Sequence, residues 1–300
     1  MKPEFLLVFL LLAGCGPAEP PGASRRTGPE FTMTGKLESE KIDEASGLQA
    51  GRDGVFFLHN DDGTYLYAID QSGRDLGRMN VKEAGDKDWE DMTRVIGDDG
   101  PLLVIGDTGD NLQVRKKVSL YFVREPMPGE FNTDLELAHK VDVRYPDGPH
   151  DVESLAYDSS SDMLLLLSKR DQPPRLYGVP LDLALWEDKV EAVLLAEVPV
   201  FRPPTQKDML LNPGRGMWIS QPTGMDISAD GGTAAVITYR SLYVFKRENG
   251  ETWPEAFQRT PVEYLGPPGS YEEAVCFGHD PGSIFITTER RPAPIYRLDL

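Results

Sequence analysis

The sequence predicts an all-β fold: a five-bladed β-propeller of four-stranded blades, its ring closed by an N-terminal strand. Three observations lead there. Short apolar runs are parted by turn residues, with almost no helical period. A short pattern recurs five times, as Ala45-Ser46-Gly47-Leu48, Trp89-Glu90-Asp91-Met92, Val152-Glu153-Ser154-Leu155, Pro222-Thr223-Gly224-Met225 and Glu272-Glu273-Ala274-Val275. Strand-like runs then group in fours behind each copy, except the last, which has three. One orphan run precedes the first copy.

The copies are spaced by 44, 63, 70 and 50 residues, as expected of one supersecondary unit repeated with loop insertions. Behind the first copy lie strands near Gly54–Leu58, Tyr65–Ile69 and Leu76–Val81, separated by Arg52-Asp53-Gly54, Asp61-Asp62-Gly63 and Gln71-Ser72-Gly73. The second unit runs through Leu102–Ile105, Ser119–Val123 and Lys140–Tyr145. The third uses Met163–Leu167, Leu176–Val179 and Ala192–Val198, with a short helical turn over Leu183–Trp186 as an alternative reading. The fourth uses Ala234–Thr238, Leu242–Phe245 and Val262–Leu265. The fifth ends with Ile284–Thr287 and Ile295–Leu298. The orphan run Phe31–Leu37 supplies the strand the last blade lacks, which removes an exposed edge. An open sandwich array and a six-bladed ring are the alternatives. The prolines between Phe201 and Trp218 disfavour a sixth blade there.

Residues 1–15 read as a signal segment: Lys2, the apolar run Phe5–Leu12, and Leu12-Ala13-Gly14-Cys15, a bacterial lipobox with Cys15 as the acylated residue. The apolar run is too short for a spanning helix. Residues 16–30 form a Pro/Gly-rich tether, and residues 31–300 a single propeller domain. The chain is therefore expected in the bacterial cell envelope, anchored to the bilayer through Cys15, facing the periplasm or the exterior, and monomeric. Of its 2 cysteines only Cys276 would remain, a small buried hydrophobe with no disulfide partner. With 31 basic against 49 acidic residues the formal net charge is −18. No basic stripe exists to neutralise phosphates, so nucleic acid is excluded as a partner.

In a propeller the first strand of each blade lines the central channel. Ser46, Glu90, Glu153, Thr223 and Glu273 therefore converge on the axis at one mouth. Three carboxylates there repel one another unless a cation sits among them or some are protonated. All donors are hard oxygens, which selects Ca²⁺ ahead of Mg²⁺, zinc or copper. The competing reading has each residue capping the backbone of a neighbouring blade. Asp107-Thr108-Gly109-Asp110-Asn111 is a second oxygen-rich loop able to hold Ca²⁺, without the full spacing of an EF-hand loop.

The order Ser46, Glu90, Glu153, Thr223, Glu273 resembles that of the calcium-activated nucleotidases, the five-bladed apyrase family. That resemblance implies a central Ca²⁺ held by these five residues. It also implies an acidic loop at Asp61 and Asp62, assisting attack by water, and basic residues at Lys169 and Arg170. Thr223 and Gly63 depart from the family pattern. At fold level the chain is also similar to phytase-like and lactonase-like propellers. Lys169, Arg170, Arg240 and Arg290 are the candidate ligands of a phosphorylated small molecule, beside a metal that would offset its charge. A Ca²⁺-dependent phosphohydrolase and a non-catalytic module for a protein or glycan are the two functions this pattern allows. No nucleophile elbow, Walker loop or zinc-protease motif is present.

Overall fold

The computed structural model describes residues 30–267, 271–280, 282–289 and 291–300. The lipobox with Cys15, and Arg290, lie outside them. Among the described residues no helix is long and apolar enough to cross a membrane.

The chain opens with β1 (Thr32–Lys36) and then builds five sheets around an axis. Blade one is β2 (Ala45–Ala50), β3 (Val55–Asn60), β4 (Tyr65–Asp70) and β5 (Asp75–Asn80). Blade two is β6 (Trp89–Gly97), β7 (Gly100–Asp107), β8 (Val118–Arg124) and β9 (Leu137–Arg144). Blade three begins with β10 (Val152–Asp158), β11 (Met163–Ser168) and β12 (Arg175–Pro180). The short helix α1 (Leu181–Trp186) follows, where a helical turn was the alternative reading. Next come β13 (Lys189–Glu191) and β14 (Val193–Glu197). β14 completes blade three, while β13 adds to blade two, pairing parallel to β9. An insertion carrying α2 (Gln206–Leu211) leads to blade four: β15 (Pro222–Ile227), β16 (Thr233–Thr238), β17 (Ser241–Lys246), α3 (Trp253–Ala256) and β18 (Val262–Leu265). Blade five is β19 (Glu272–Phe277), β20 (Ser283–Thr288) and β21 (Pro294–Asp299), completed by β1, which pairs antiparallel to β21 from Thr32↔Arg297 to Lys36↔Pro294. The ring thus closes as the strand count requires, with five blades rather than six.

The apolar runs are unbroken because both faces of a blade are buried. In β11, alternate side chains point to opposite faces. Leu164 and Leu166 join the core shared with blade two, and Leu165 and Leu167 the core shared with blade four. Cys276 is buried and free, in the core between blades five and one. Tight turns fix strand register. At Arg52–Val55, Asp53 and Gly54 both take positive φ (54° and 78°), the pairing a two-residue hairpin with right-handed strand twist requires.

Deep in the channel the blades are tied by a carboxylate. Asp91 accepts backbone N–H groups from Met92 (2.8 Å), Leu155 (2.8 Å) and Met225 (3.0 Å), joining blades two, three and four. Asp226 does the same between blades four and five, accepting from Ile227 and Phe277 at 2.8 Å each.

Candidate functional site

Each inner strand enters its blade through a register break at the repeated motif. The ladder steps from Trp89 to Asp91 in β6, Val152 to Ser154 in β10, Pro222 to Gly224 in β15, and Glu272 to Ala274 in β19. In β2 it steps from Ala45 to Leu48. The residue left out is Glu90, Glu153, Thr223 or Glu273, and in β2 Ser46 with Gly47. A bulge frees its extra residue from pairing and re-aims the side chain. The five bulges bring four of these side chains, Ser46, Glu90, Glu153 and Glu273, to one cavity.

The two hydroxyls and the three carboxylates then behave differently. Ser46 Oγ donates to the Glu90 carbonyl at 2.6 Å, and Thr223 Oγ1 to the Glu272 carbonyl at 2.8 Å. Thr108 Oγ1 makes a similar bond to the Val152 carbonyl at 2.7 Å. These hydroxyls cap the backbone of the next blade. The carboxylates instead face a polar cavity of about 160 Å³, lined by Glu44, Ser46, Asp61, Asp88, Glu90, Asn111, Glu153, Lys169, Tyr239, Glu273 and Glu289. Thr223 is buried outside that lining.

Burial pushes all three glutamates above the ordinary carboxyl range. Glu90 and Glu273 rise well above it, each with Glu153 as a repelling neighbour. Glu153 rises only to about 7, because Lys169 opposes the effect of burial. The Lys169 ammonium bridges Glu153 and the Tyr239 hydroxyl, the latter at 2.8 Å. Burial alone would lower its pKa, but Glu153, Glu273, Tyr239 and Glu90 together raise it and keep the ammonium charged.

Glu90, Asp151 and Glu153, all buried, each offer a carboxylate oxygen within 4.8 Å of the others. Oxygens bound to one Ca²⁺ lie about 2.3–2.6 Å from it, hence up to about 5 Å apart, so this spacing fits. Glu273 Oε1, on the same cavity, is buried with no hydrogen-bond partner. Gly109 lets the blade-two loop close over these acids. A Cβ there would stand 2.1 Å from Glu90 Oε1 and 2.5 Å from the Asp88 carboxyl. The donor set is hard oxygen throughout and fits Ca²⁺, with Lys169 already supplying one positive charge to Glu153.

Asp61 reaches the cavity, where burial and then Glu44, Asp62 and Asp88 raise it to about 7. Its neighbour Asp62 is exposed and outside the lining, grouped with Glu44 and Asp61 on the rim. The expected basic residues are mostly engaged. Arg170 donates to Asp151 at 2.5 Å and to Asn111. Arg240 lies outside the cavity, on Asp208 (2.9 Å), the Arg202 carbonyl (2.5 Å) and Ser220 (3.0 Å). In the loop Asp107–Asn111 the Arg115 guanidinium takes the place a second Ca²⁺ would need, donating to Asp107 Oδ1 (2.7 Å) and the Gly109 carbonyl (2.6 Å). Trp89 is a core residue, edge-on to buried His59 at 5.3 Å. His150 is held between Asp171 (2.9 Å) and Asp147 (3.1 Å).

Sequence reasoning missed a second set of acids, confined to blades one to three. Glu44, Asp88 and Asp151 each stand two residues before a bulge residue, Ser46, Glu90 and Glu153. The same alignment carried this signal, shifted by two.

No known family and no curated protein matches the chain. Among solved structures it is similar to a luciferin-regenerating enzyme (9% identity, TM-score 0.46, covering 91% of this chain and 96% of that one). It is also similar to a Thermus thermophilus protein described as an oxidoreductase of the glucose dehydrogenase type (11%, 0.48, 90% and 100%). A streptogramin B lyase is a third (11%, 0.44, 90% and 97%). None of these likenesses bears on what this chain does.

Proposed function

We propose that the propeller mouth binds Ca²⁺ and that the chain is a Ca²⁺-dependent hydrolase of phosphoanhydride or phosphoester substrates, a monomer anchored in the cell envelope through acylated Cys15. The observation that carries the reading is the buried Glu90–Asp151–Glu153 cluster, beside the unpartnered Glu273 Oε1. Such a concentration of carboxylate is costly unless charge is compensated. Lys169 on Glu153 and Arg170 on Asp151 compensate part of it, leaving Glu90 and Glu273 without a cation of their own among the described residues. Glu90, Asp151 and Glu153 would hold the ion. When bound, it would supply the positive charge that lets a phosphoryl anion approach so acidic a cavity.

The chain's own residues supply the rest. Asp61, with a pKa of about 7 and a place on the cavity wall, is suited to accept a proton from an attacking water near neutral pH. Lys169 is fixed by Glu153 and Tyr239, and orients the Glu153 carboxylate rather than binding substrate. The test is phosphate release from a panel of nucleoside diphosphates, pyrophosphate and phosphomonoesters, with Ca²⁺ or with chelator. Ca²⁺-dependent release that falls at least a hundredfold in Asp61→Asn supports the reading, by the scale of general-base contributions. No release from any substrate, with Ca²⁺ bound, contradicts it.

The second reading is a non-catalytic module in which Ca²⁺ staples the ring and the mouth binds a protein or glycan. It is favoured by the engagement of Arg170 and Arg240, which leaves few bases for phosphate.

A further inference from the structure

The side of the mouth away from Glu90 and Asp151 has a different chemistry. Tyr239 and Tyr271 meet edge to face there, 6.1 Å between ring centres and 81° between planes. Arg215, from the insertion between β14 and β15, lies over both. Its guanidinium carbon is 5.5 Å from the Tyr239 ring centre and 5.0 Å from that of Tyr271, and Nη1 donates to Glu289 at 2.8 Å. Glu289 and Tyr239 both line the acidic cavity, next to buried, unpartnered Glu273 Oε1. Two π faces and a carboxylate around one planar cation form a guanidinium cage, and the chain fills it with its own side chain.

The occupant is held weakly. Arg215 is 40% exposed and Glu289 34%, so their ion pair is largely screened. Lys169 contrasts with it: both it and Glu153 are buried, and its departure would strand a buried charge. The ends of the insertion are anchored, by Phe201 against Tyr243, Arg202 on Glu263 and buried Ile219. The stretch between them that carries Arg215 packs lightly: α2 has no buried residue, and its side-chain ties are Asn212 to Tyr271 (2.7 Å) and Asp208 to Arg240 (2.9 Å).

We propose that the Tyr239–Tyr271–Glu289 corner is a binding site for a ligand guanidinium group, with Arg215 as an internal stand-in that the ligand displaces. The site adjoins the proposed Ca²⁺ site, sharing its cavity and Tyr239, but its recognition of a guanidinium needs neither Ca²⁺ nor hydrolysis. Its ligand is a cation, drawn in by the acidic mouth, where the proposed hydrolytic substrate is an anion.

Calorimetric titration tests this at physiological ionic strength. The probes are methylguanidinium, the peptide acetyl-Gly-Arg-Gly-amide, and the same peptide with uncharged citrulline. The proteins are the wild type, Arg215→Ala, and Arg215→Ala combined with Tyr271→Leu or with Tyr271→Phe. Arg215→Ala should bind a guanidinium probe on the order of tenfold tighter than wild type, since the masked fraction no longer taxes affinity. Tyr271→Leu should abolish the gain without changing charge, and Tyr271→Phe, which keeps the ring, should retain it. A gain for both probes identifies the guanidinium alone as sufficient. A gain for the peptide alone identifies a protein arginine as its source. The proposal is overturned if Arg215→Ala brings no gain, if the citrulline peptide gains equally, or if the gain survives Tyr271→Leu. The last outcome would mean that added negative charge, not the cage, attracts the probe.

Discussion

The Lys169 ammonium lies against the Glu153 carboxylate at the propeller mouth, with both side chains buried. It is the countercharge of Glu153, as Arg170 is of Asp151, and its removal leaves Glu153 uncompensated beside Glu90. Lys169→Met should lose about 3–5 kcal/mol at neutral pH in chelator, the usual cost of stranding one member of a buried pair. Ca²⁺ should restore much of that loss. Urea melts of wild type and variant, with Ca²⁺ and with chelator, check it.

Stability should also depend on pH in an unusual direction. Glu153 rises from 4.5 to about 7 in the folded chain, and Asp61 from 3.8 to about 7. A carboxyl whose folded pKa is raised holds its proton longer in the folded state. Its contribution is full below the unfolded value and fades as pH rises through the folded one. The metal-free protein should therefore lose stability between about pH 4 and pH 7. Saturating Ca²⁺ should flatten the slope by favouring the ionised carboxylates. Melting temperatures across that window, in both conditions, give the comparison.

Asp91 should be a structural requirement distinct from the mouth. Its carboxylate serves N–H groups of three blades, at Met92, Leu155 and Met225. Asp91→Ala leaves them unpaired in the interior, at about 1–3 kcal/mol each. Circular dichroism should show Asp91→Ala largely unfolded. Ca²⁺ should rescue it far less than Lys169→Met.

The closure strand is tested by truncation. β1 pairs along β21, and the following Leu37 is buried and donates to the Ala293 carbonyl at 2.8 Å. Deleting residues 31–37 should sharply lower the melting temperature. Deleting residues 16–26 should not. Equal melting temperatures would contradict closure by β1.

The blade count and the ring closure were legible because apolar runs and turn residues repeat in register with the motif. The column Ser46, Glu90, Glu153, Thr223 and Glu273 was legible for the same reason; four of the five line one cavity, and Thr223 does not. What the column residues do was not legible. Bulges depend on how β6 or β10 pairs with its neighbour, and a single strand's sequence does not record pairing. The hydroxyls of Ser46 and Thr223 take up neighbouring carbonyls, a choice set by the distance between blades. Arg170 and Arg240 read as free bases because their partners, Asp151 and Asp208, are 19 and 32 residues away along the chain. Arg215 had no pattern around it. It reaches Tyr239 and Tyr271 only because the insertion folds back over the mouth.

The most direct test of the central claim is Ca²⁺ titration of the metal-free chain by calorimetry, repeated on Glu153→Gln and Glu273→Gln. The account predicts one saturable site in the wild type. It also predicts a melting temperature that rises with Ca²⁺, by about 2.7 kcal/mol of stability at a hundredfold excess over Kd. Affinity should fall at least tenfold in Glu153→Gln, which loses a proposed ligand. A wild type with no Ca²⁺ heat, and a melting curve indifferent to chelator, would contradict the account and leave the chain's own cations, Lys169 on Glu153 and Arg170 on Asp151, as sufficient for the mouth.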